Sequence, residues 1–206
     1  MPTSEYAQYR EHTEQRFLTM EPVPGIADIH LSPSGAYALE VAEYTAGPSS
    51  WNYSRGLVRE VASGRLLADV KRNLAGFWFT WVLRADGEYL LCGEDYQGYN
   101  VIDLARAKNV LTFPPEAYKG QGFCWGTAYP SPSGQLLAVE GCYWGGPNDL
   151  VVYDFSEPLR SPLPEVARLE EILQAKSWLS DREFAYTVEV SEEGEQHIWR
   201  ASPGEA

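Results

Sequence analysis

Four stretches of the chain share one pattern of apolar and polar positions. Each opens on an aromatic or apolar segment: "IADIHL", "FWFTWVL", "FCWGTAY" or "ILQAKSWL". A short polar turn follows, then a second apolar segment: "AYALEV", "EYLLCG", "QLLAVE" or "EFAYTV". The turns read Ser-Pro-Ser-Gly at 32–35 and 131–134, Arg-Ala-Asp-Gly at 84–87 and Ser-Asp-Arg at 180–182. Gly adopts positive φ without a Cβ clash, and Ser or Asp hydrogen-bonds to its own turn backbone. Two strands joined by such a turn make a hairpin. A third strand follows in every stretch: "RGLVREV", "YNVIDLA", "DLVVYDF" and "HIWRAS". The first two stretches add a fourth, "GRLLADV" and "KNVLTF". The pattern predicts an all-β fold of about four antiparallel meander units with minor helix.

Two segments depart from it. In "PLPEVARLEEILQAK" (162–176), Val166, Leu169, Ile172 and Leu173 fit one helical face, yet the segment also reads as a strand, and both readings stand. The polar N-terminal run "SEYAQYREHTEQRF" predicts a short helix starting near Ser4.

The turns recur roughly 50 residues apart, a spacing typical of repeat architectures. With their flanking apolar segments, they resemble the blade repeats of β-propellers, particularly the WD-repeat-like and Tol-type repeats. Those carry a similar turn between their first two strands. No Gly-His or Trp-Asp signature accompanies them. The resemblance implies a small propeller-like domain over 1–206, with an N-terminal helix or closing strand in 1–24. Its units fall near 25–74, 75–118, 119–170 and 171–202. An unpaired β edge invites aggregation, and propellers often close by borrowing a strand from the other terminus. The apolar "QRFLTMEPV" (Gln15 to Val23) is placed to complete the last unit, so N-to-C closure is expected, with an open arc or an irregular β-sandwich as the alternative.

Charge narrows the partners. The formal net charge is −13, which disfavours nucleic acid and anionic membrane and favours a basic protein. Cys92, Cys124 and Cys142 form no CxxC or Cys/His cluster, so no zinc site, metal or cofactor is nominated. Free thiols suit a reducing compartment. The polar N-terminus lacks a signal-peptide core, and no run is long and apolar enough to span a membrane. The expected location is cytoplasmic. Oligomeric state is not legible.

Aligning the units exposes a second repeat. Nine positions after each turn Gly stands a tyrosine: Tyr44, Tyr96 and Tyr143, with Ser191 in the fourth slot. In a propeller these strand ends gather on one face. The candidate partner-binding residues there are Glu43, Tyr44, Trp51, Tyr53, Glu94, Asp95, Tyr96, Tyr99, Tyr143, Trp144, Asn148 and Asp149, with Glu192 and Glu193 nearby. Tyr and Trp offer large contact area at low entropic cost, and carboxylates steer Lys and Arg. The competing reading makes the repeated tyrosines packing positions.

Catalysis finds less support. His12, His30 and His197 lie in unrelated contexts, and no GxSxG, HExxH, Walker or GxGxxG motif occurs. Glu94 and Asp95 are adjacent, and neighbours on a strand point to opposite faces. The sequence therefore favours a non-enzymatic protein-binding module with an acidic aromatic loop face. A toxin-neutralising immunity-type protein is its sharper form. A small-ligand or carbohydrate-binding domain and a hydrolase on a propeller scaffold are the alternatives.

Overall fold

The computed structural model describes residues 4–114, 122–189 and 194–202. It opens with the helix α1 (Ser4–Phe17), and the other elements among the described residues are strands. The first sheet holds β1 (Glu21–Leu31), β2 (Tyr37–Thr45), β3 (Tyr53–Glu60) and β4 (Leu66–Arg72) in chain order. The second holds β5 (Phe79–Arg84), β6 (Gly87–Cys92), β7 (Tyr99–Asp103) and β8 (Lys108–Thr112), again in order. Both are antiparallel meanders, as the hairpin turns require.

The third sheet is larger. It runs through β9 (Cys124–Pro130), β10 (Leu136–Cys142), β11 (Asn148–Asp154), β12 (Glu165–Ser180), β13 (Glu183–Val188) and β14 (Glu195–Arg200). Two units are fused in it by β12. The first half of β12 pairs with β11 and its second half with β13, and Ile172 belongs to both ladders. Glu171, just before it, takes a left-handed φ of 55°. The segment 162–176 thus supplies strand rather than helix, and the boundary expected at 170–171 falls inside one strand.

Closure by the N-terminus is overturned. Gln15–Phe17 end α1, and Glu21–Val23 open β1, where Glu21 faces Thr45 and Pro22 faces Tyr44 of β2. The segment serves the first sheet and does not reach β14, which stands at a sheet edge. Three apolar clusters join successive units. Leu39, Val58, Val70, Leu90 and Ile102 bind the first sheet to the second. Leu91, Val101, Trp125, Leu137 and Phe155 bind the second to the third. Leu136, Leu150, Val152, Ile172 and Phe184 join the two halves of the third. Among the described residues no cluster joins the first unit to the fourth. Ile29 and Leu31 of β1 are 71% and 60% exposed, and Leu179 of β12 is 52% exposed. Among the described residues, no strand pairing closes the units into a ring.

The repeated turns stitch neighbouring units together. Ser34 donates its amide and hydroxyl to Glu88 of the second sheet at 2.8 and 2.6 Å, and Ser32 Oγ adds a bond at 3.0 Å. In the third sheet, the Ser133 amide donates to Asp181 of the next turn at 2.6 Å. Between them, Arg84 donates to the carbonyls of Gly134, Phe155 and Ser156. No described helix is long and apolar enough to cross a membrane.

Candidate functional site

The candidate residues lie in the loops that follow β2, β6 and β10 and on the strand ends that flank them, and the structure treats the three tyrosine positions differently. In the first unit Tyr44 and Tyr53 face each other across β2 and β3. Phe17 of α1 lies edge-on to both, with ring centroids 5.1 and 5.9 Å away. The helix therefore covers this pair. Lys71 stands 5.8 Å over the Phe17 ring and pairs with Glu14, tying α1 to β4. Glu43 accepts from Asn52 at 3.4 Å. Trp51 is 64% exposed, with its indole N–H donated to the Asn73 carbonyl at 2.8 Å.

The second loop turns its carboxylates inward. Glu94 is buried and accepts the Tyr6 hydroxyl at 2.6 Å and Arg10 at 2.8 and 3.0 Å. Tyr6 has no exposed surface and stacks on Phe113 at 3.8 Å. Burial raises the Glu94 carboxyl above its ordinary value, a rise offset in part by Tyr6 and Arg10. Asp95 is also buried, and its Oδ1 accepts the Gln97 and Gly98 amides at 2.8 and 2.7 Å. Burial raises Asp95 too, against the pull of those amides and of Arg72. Arg72 reaches in from β4 to the carbonyls of Gly93 and Asp95. Tyr99 is a core residue whose oxygen accepts the Leu163 amide at 2.9 Å. Asp149 is buried, receives the Glu171 amide at 3.1 Å and lies 3.5 Å from Arg168.

The expected face is corrected accordingly. Glu94, Asp95, Tyr99 and Asp149 lie inside the protein: Tyr6 and Arg10 of α1 hold Glu94, and the other three accept backbone amides. Glu192 and Glu193 fall outside the described residues, as does Ser191.

What remains outside is aromatic. Tyr96 and Trp144 meet edge to face at 5.8 Å and are 42% and 54% exposed. The Tyr96 carbonyl is fixed by the Trp125 amide at 2.8 Å. Tyr143 is 41% exposed and lies against Phe123 at 5.5 Å. Arg168 sits 5.4 Å from both of those rings and pairs with Glu165 at 2.7 Å. Trp144 itself takes a φ of 45°, a costly conformation for a bulky residue, and Gly145 follows at 87°. Asn148 is exposed at the loop's end and donates to Glu140 at 3.3 Å. One patch, Tyr96–Trp144–Tyr143, thus forms where the second and third units adjoin.

Three contributors escape the sequence reading. Tyr6 and Arg10 belong to a polar helix with no visible tie to residue 94, and Arg168 lies in the segment of ambiguous structure. Among the described residues no three His, Cys, Asp or Glu side chains gather in a way that would hold a metal ion.

No family model matches the chain. It is 33% identical over 191 residues to the "Uncharacterized protein R762" of Acanthamoeba polyphaga mimivirus, covering 86% of this chain and 73% of that protein. Among solved structures it is similar to the Cps50 (Swd1) β-propeller domain of Myceliophteria thermophila. That likeness has a TM-score of 0.52 at 16% identity and covers 98% of this chain. The chain spans 57% of that protein's length. A eukaryotic initiation factor is similar at a TM-score of 0.42 and 13% identity, over 86% of this chain and 53% of the other. The meander units are propeller blades, and the likeness to the first of these structures shows fold alone.

Proposed function

The chain belongs to the family of the uncharacterized mimivirus protein, and we propose that it is a non-enzymatic binding module that captures a protein partner on Tyr96, Tyr143 and Trp144. One observation carries this reading. Trp144 is held at positive φ with its ring 54% exposed beside Tyr96, although a left-handed conformation in a bulky residue costs energy. Packing alone would not keep that ring in water. Clustered Tyr and Trp anchors with few rotamers are the usual centres of binding energy.

Charge acts at longer range. With Glu94, Asp95 and Asp149 turned inward, attraction comes from the net charge of −13 over the whole surface. That field steers a basic partner and speeds encounter. A basic toxin masked by an immunity-type protein fits this chemistry. The blade scaffold supports a protein-interaction role, because it presents several loops from rigid sheets.

The test is affinity capture with tagged protein, comparing wild type with Trp144→Ala and Tyr96→Ala at low and high salt. A stoichiometric basic partner that is retained by wild type, released by salt and lost in both variants is the expected result. Equal retention by the variants would overturn the aromatic site. A small molecule that quenches Trp fluorescence, with no protein captured, would favour the ligand-binding alternative.

A further inference from the structure

We propose that Cys124 and Cys142 form a reversible dithiol–disulfide site at the base of the aromatic loop. The two cysteines lie on neighbouring antiparallel strands, and the register places Cys142 directly opposite Cys124. Directly opposed residues point to the same side of a sheet. Their Cα atoms lie about 4.5 or 5.5 Å apart according to the hydrogen-bonding of the pair. Both spacings fall within the roughly 4.4–6.8 Å that a disulfide spans. Both thiols are free.

Local backbone favours the bond. The pair ends the β9–β10 ladder, so adjusting its twist leaves the interior pairs intact. The ladder is already bulged between Glu140 and Gly141. A Cβ on Gly141 would stand 2.1 Å from the Cys124 carbonyl oxygen, so the glycine is what lets the strands approach here. Cys92 is no competitor, being fully buried on β6 opposite Phe79 and Asn100.

Exposure sets the order of events. Cys142 is half-buried, whereas Cys124 is 8% exposed and lies beneath the loop. With a low-molecular-weight disulfide as oxidant, the Cys142 thiolate attacks one of its sulfurs. A mixed disulfide forms and one small thiolate leaves. The Cys124 thiolate then attacks Sγ of Cys142 and expels the second small thiolate. The protein loses two electrons and two protons, and the small disulfide is reduced to two thiols. Burial raises the Cys124 thiol, so the second step speeds up as pH rises.

The bond has a structural consequence. Phe123 and Tyr143, next in chain to the two cysteines, carry the ring pair under Arg168, and Gln97, next in chain to Tyr96, donates to the Cys124 sulfur at 3.9 Å. Linking the strands fixes the base of the patch. Tuning of partner capture by oxidation rests on the function proposed above; the disulfide chemistry does not.

The experiment equilibrates the full chain in glutathione buffers from reduced to oxidised, then maps thiols and cross-linked peptides by mass spectrometry. The expected product is a single Cys124–Cys142 bond, with Cys92 unmodified, circular dichroism unchanged and reversal by a dithiol. Cys124→Ser should stop at a glutathione adduct on Cys142. A wild type that also stops at that adduct, or forms the bond only in urea, would overturn the proposal. Amide exchange at residues 143–146 should slow by about tenfold on oxidation, in wild type only. Unchanged exchange would refute the loop-fixing role. Capture that ignores Trp144→Ala in both redox states would sink the binding function and leave the thiol result standing.

Discussion

At the scale of single residues, the Tyr6–Glu94–Arg10 cluster decides how α1 sits. The phenol donates to a carboxylate that has almost no water, at 2.6 Å. Tyr6→Phe keeps the ring stack on Phe113 but leaves Glu94 short of a donor. We expect a loss of about 1–3 kcal/mol, read as a lower urea midpoint at unchanged slope. Glu94 also makes stability depend on pH. Its folded pKa lies above the ordinary value of 4.5, so the folded state holds the proton more tightly than the unfolded chain. The contribution is full below that ordinary value and is lost as pH rises through it to the folded value. Glu94→Gln retains an acceptor for Tyr6 and cannot ionise. Urea melts across this range should show wild type losing stability relative to Glu94→Gln as pH climbs; parallel curves would refute the assignment.

At the scale of elements, the two Ser-Pro-Ser-Gly turns look alike in sequence and differ in surroundings. Gly35 and Gly134 both sit at positive φ, 73° and 69°. A Cβ on Gly35 would meet nothing within 4 Å. One on Gly134 would stand 3.0 Å from the Leu83 carbonyl and 2.7 Å from Arg84 Cγ. Gly35→Ala should cost about 1–2 kcal/mol, the strain of a left-handed residue. Gly134→Ala should cost clearly more, because the neighbouring blade must also move. Equal thermal shifts for the two variants would contradict this account of the turn-to-turn packing. The strand β12 shows the same dependence on surroundings. Its apolar spacing suits a helix, yet β11 and β13 offer open edges on either side, and pairing with both satisfies its backbone.

At the scale of the whole molecule, the N-terminal segment acts as a cover. It contributes no strand to the last unit, so its removal leaves every ladder from β2 to β14 complete. Deleting residues 1–19 exposes Glu94, Tyr44 and Tyr53 and removes the buried Tyr6 ring. The expected loss is about 3–5 kcal/mol, the usual cost of removing a buried aromatic, with the strand signal in circular dichroism retained below the new melting point. Complete unfolding of the truncated protein would restore a closing role for the segment. Deletion should also leave partner capture through Trp144 intact, since α1 packs on the first and second units.

The strands, the hairpin turns and the recurring antiparallel meander follow from the sequence alone, because alternation and turn chemistry act between near neighbours. Ser32, Gly35, Ser131 and Gly134 announce their turns wherever the chain goes next. The same logic led to Tyr44, Tyr96 and Tyr143, but equivalent repeat positions do not share an environment. Phe17 covers Tyr44, whereas Tyr96 and Tyr143 stay in water. Glu94 and Asp95 read as surface carboxylates until Tyr6, Arg10 and two loop amides draw them in. Burial, the pairing of the N-terminal segment with β2 and the facing of Cys124 with Cys142 depend on contacts between residues distant in the chain. Only the tertiary structure decided them, because desolvation and register are properties of the assembled fold.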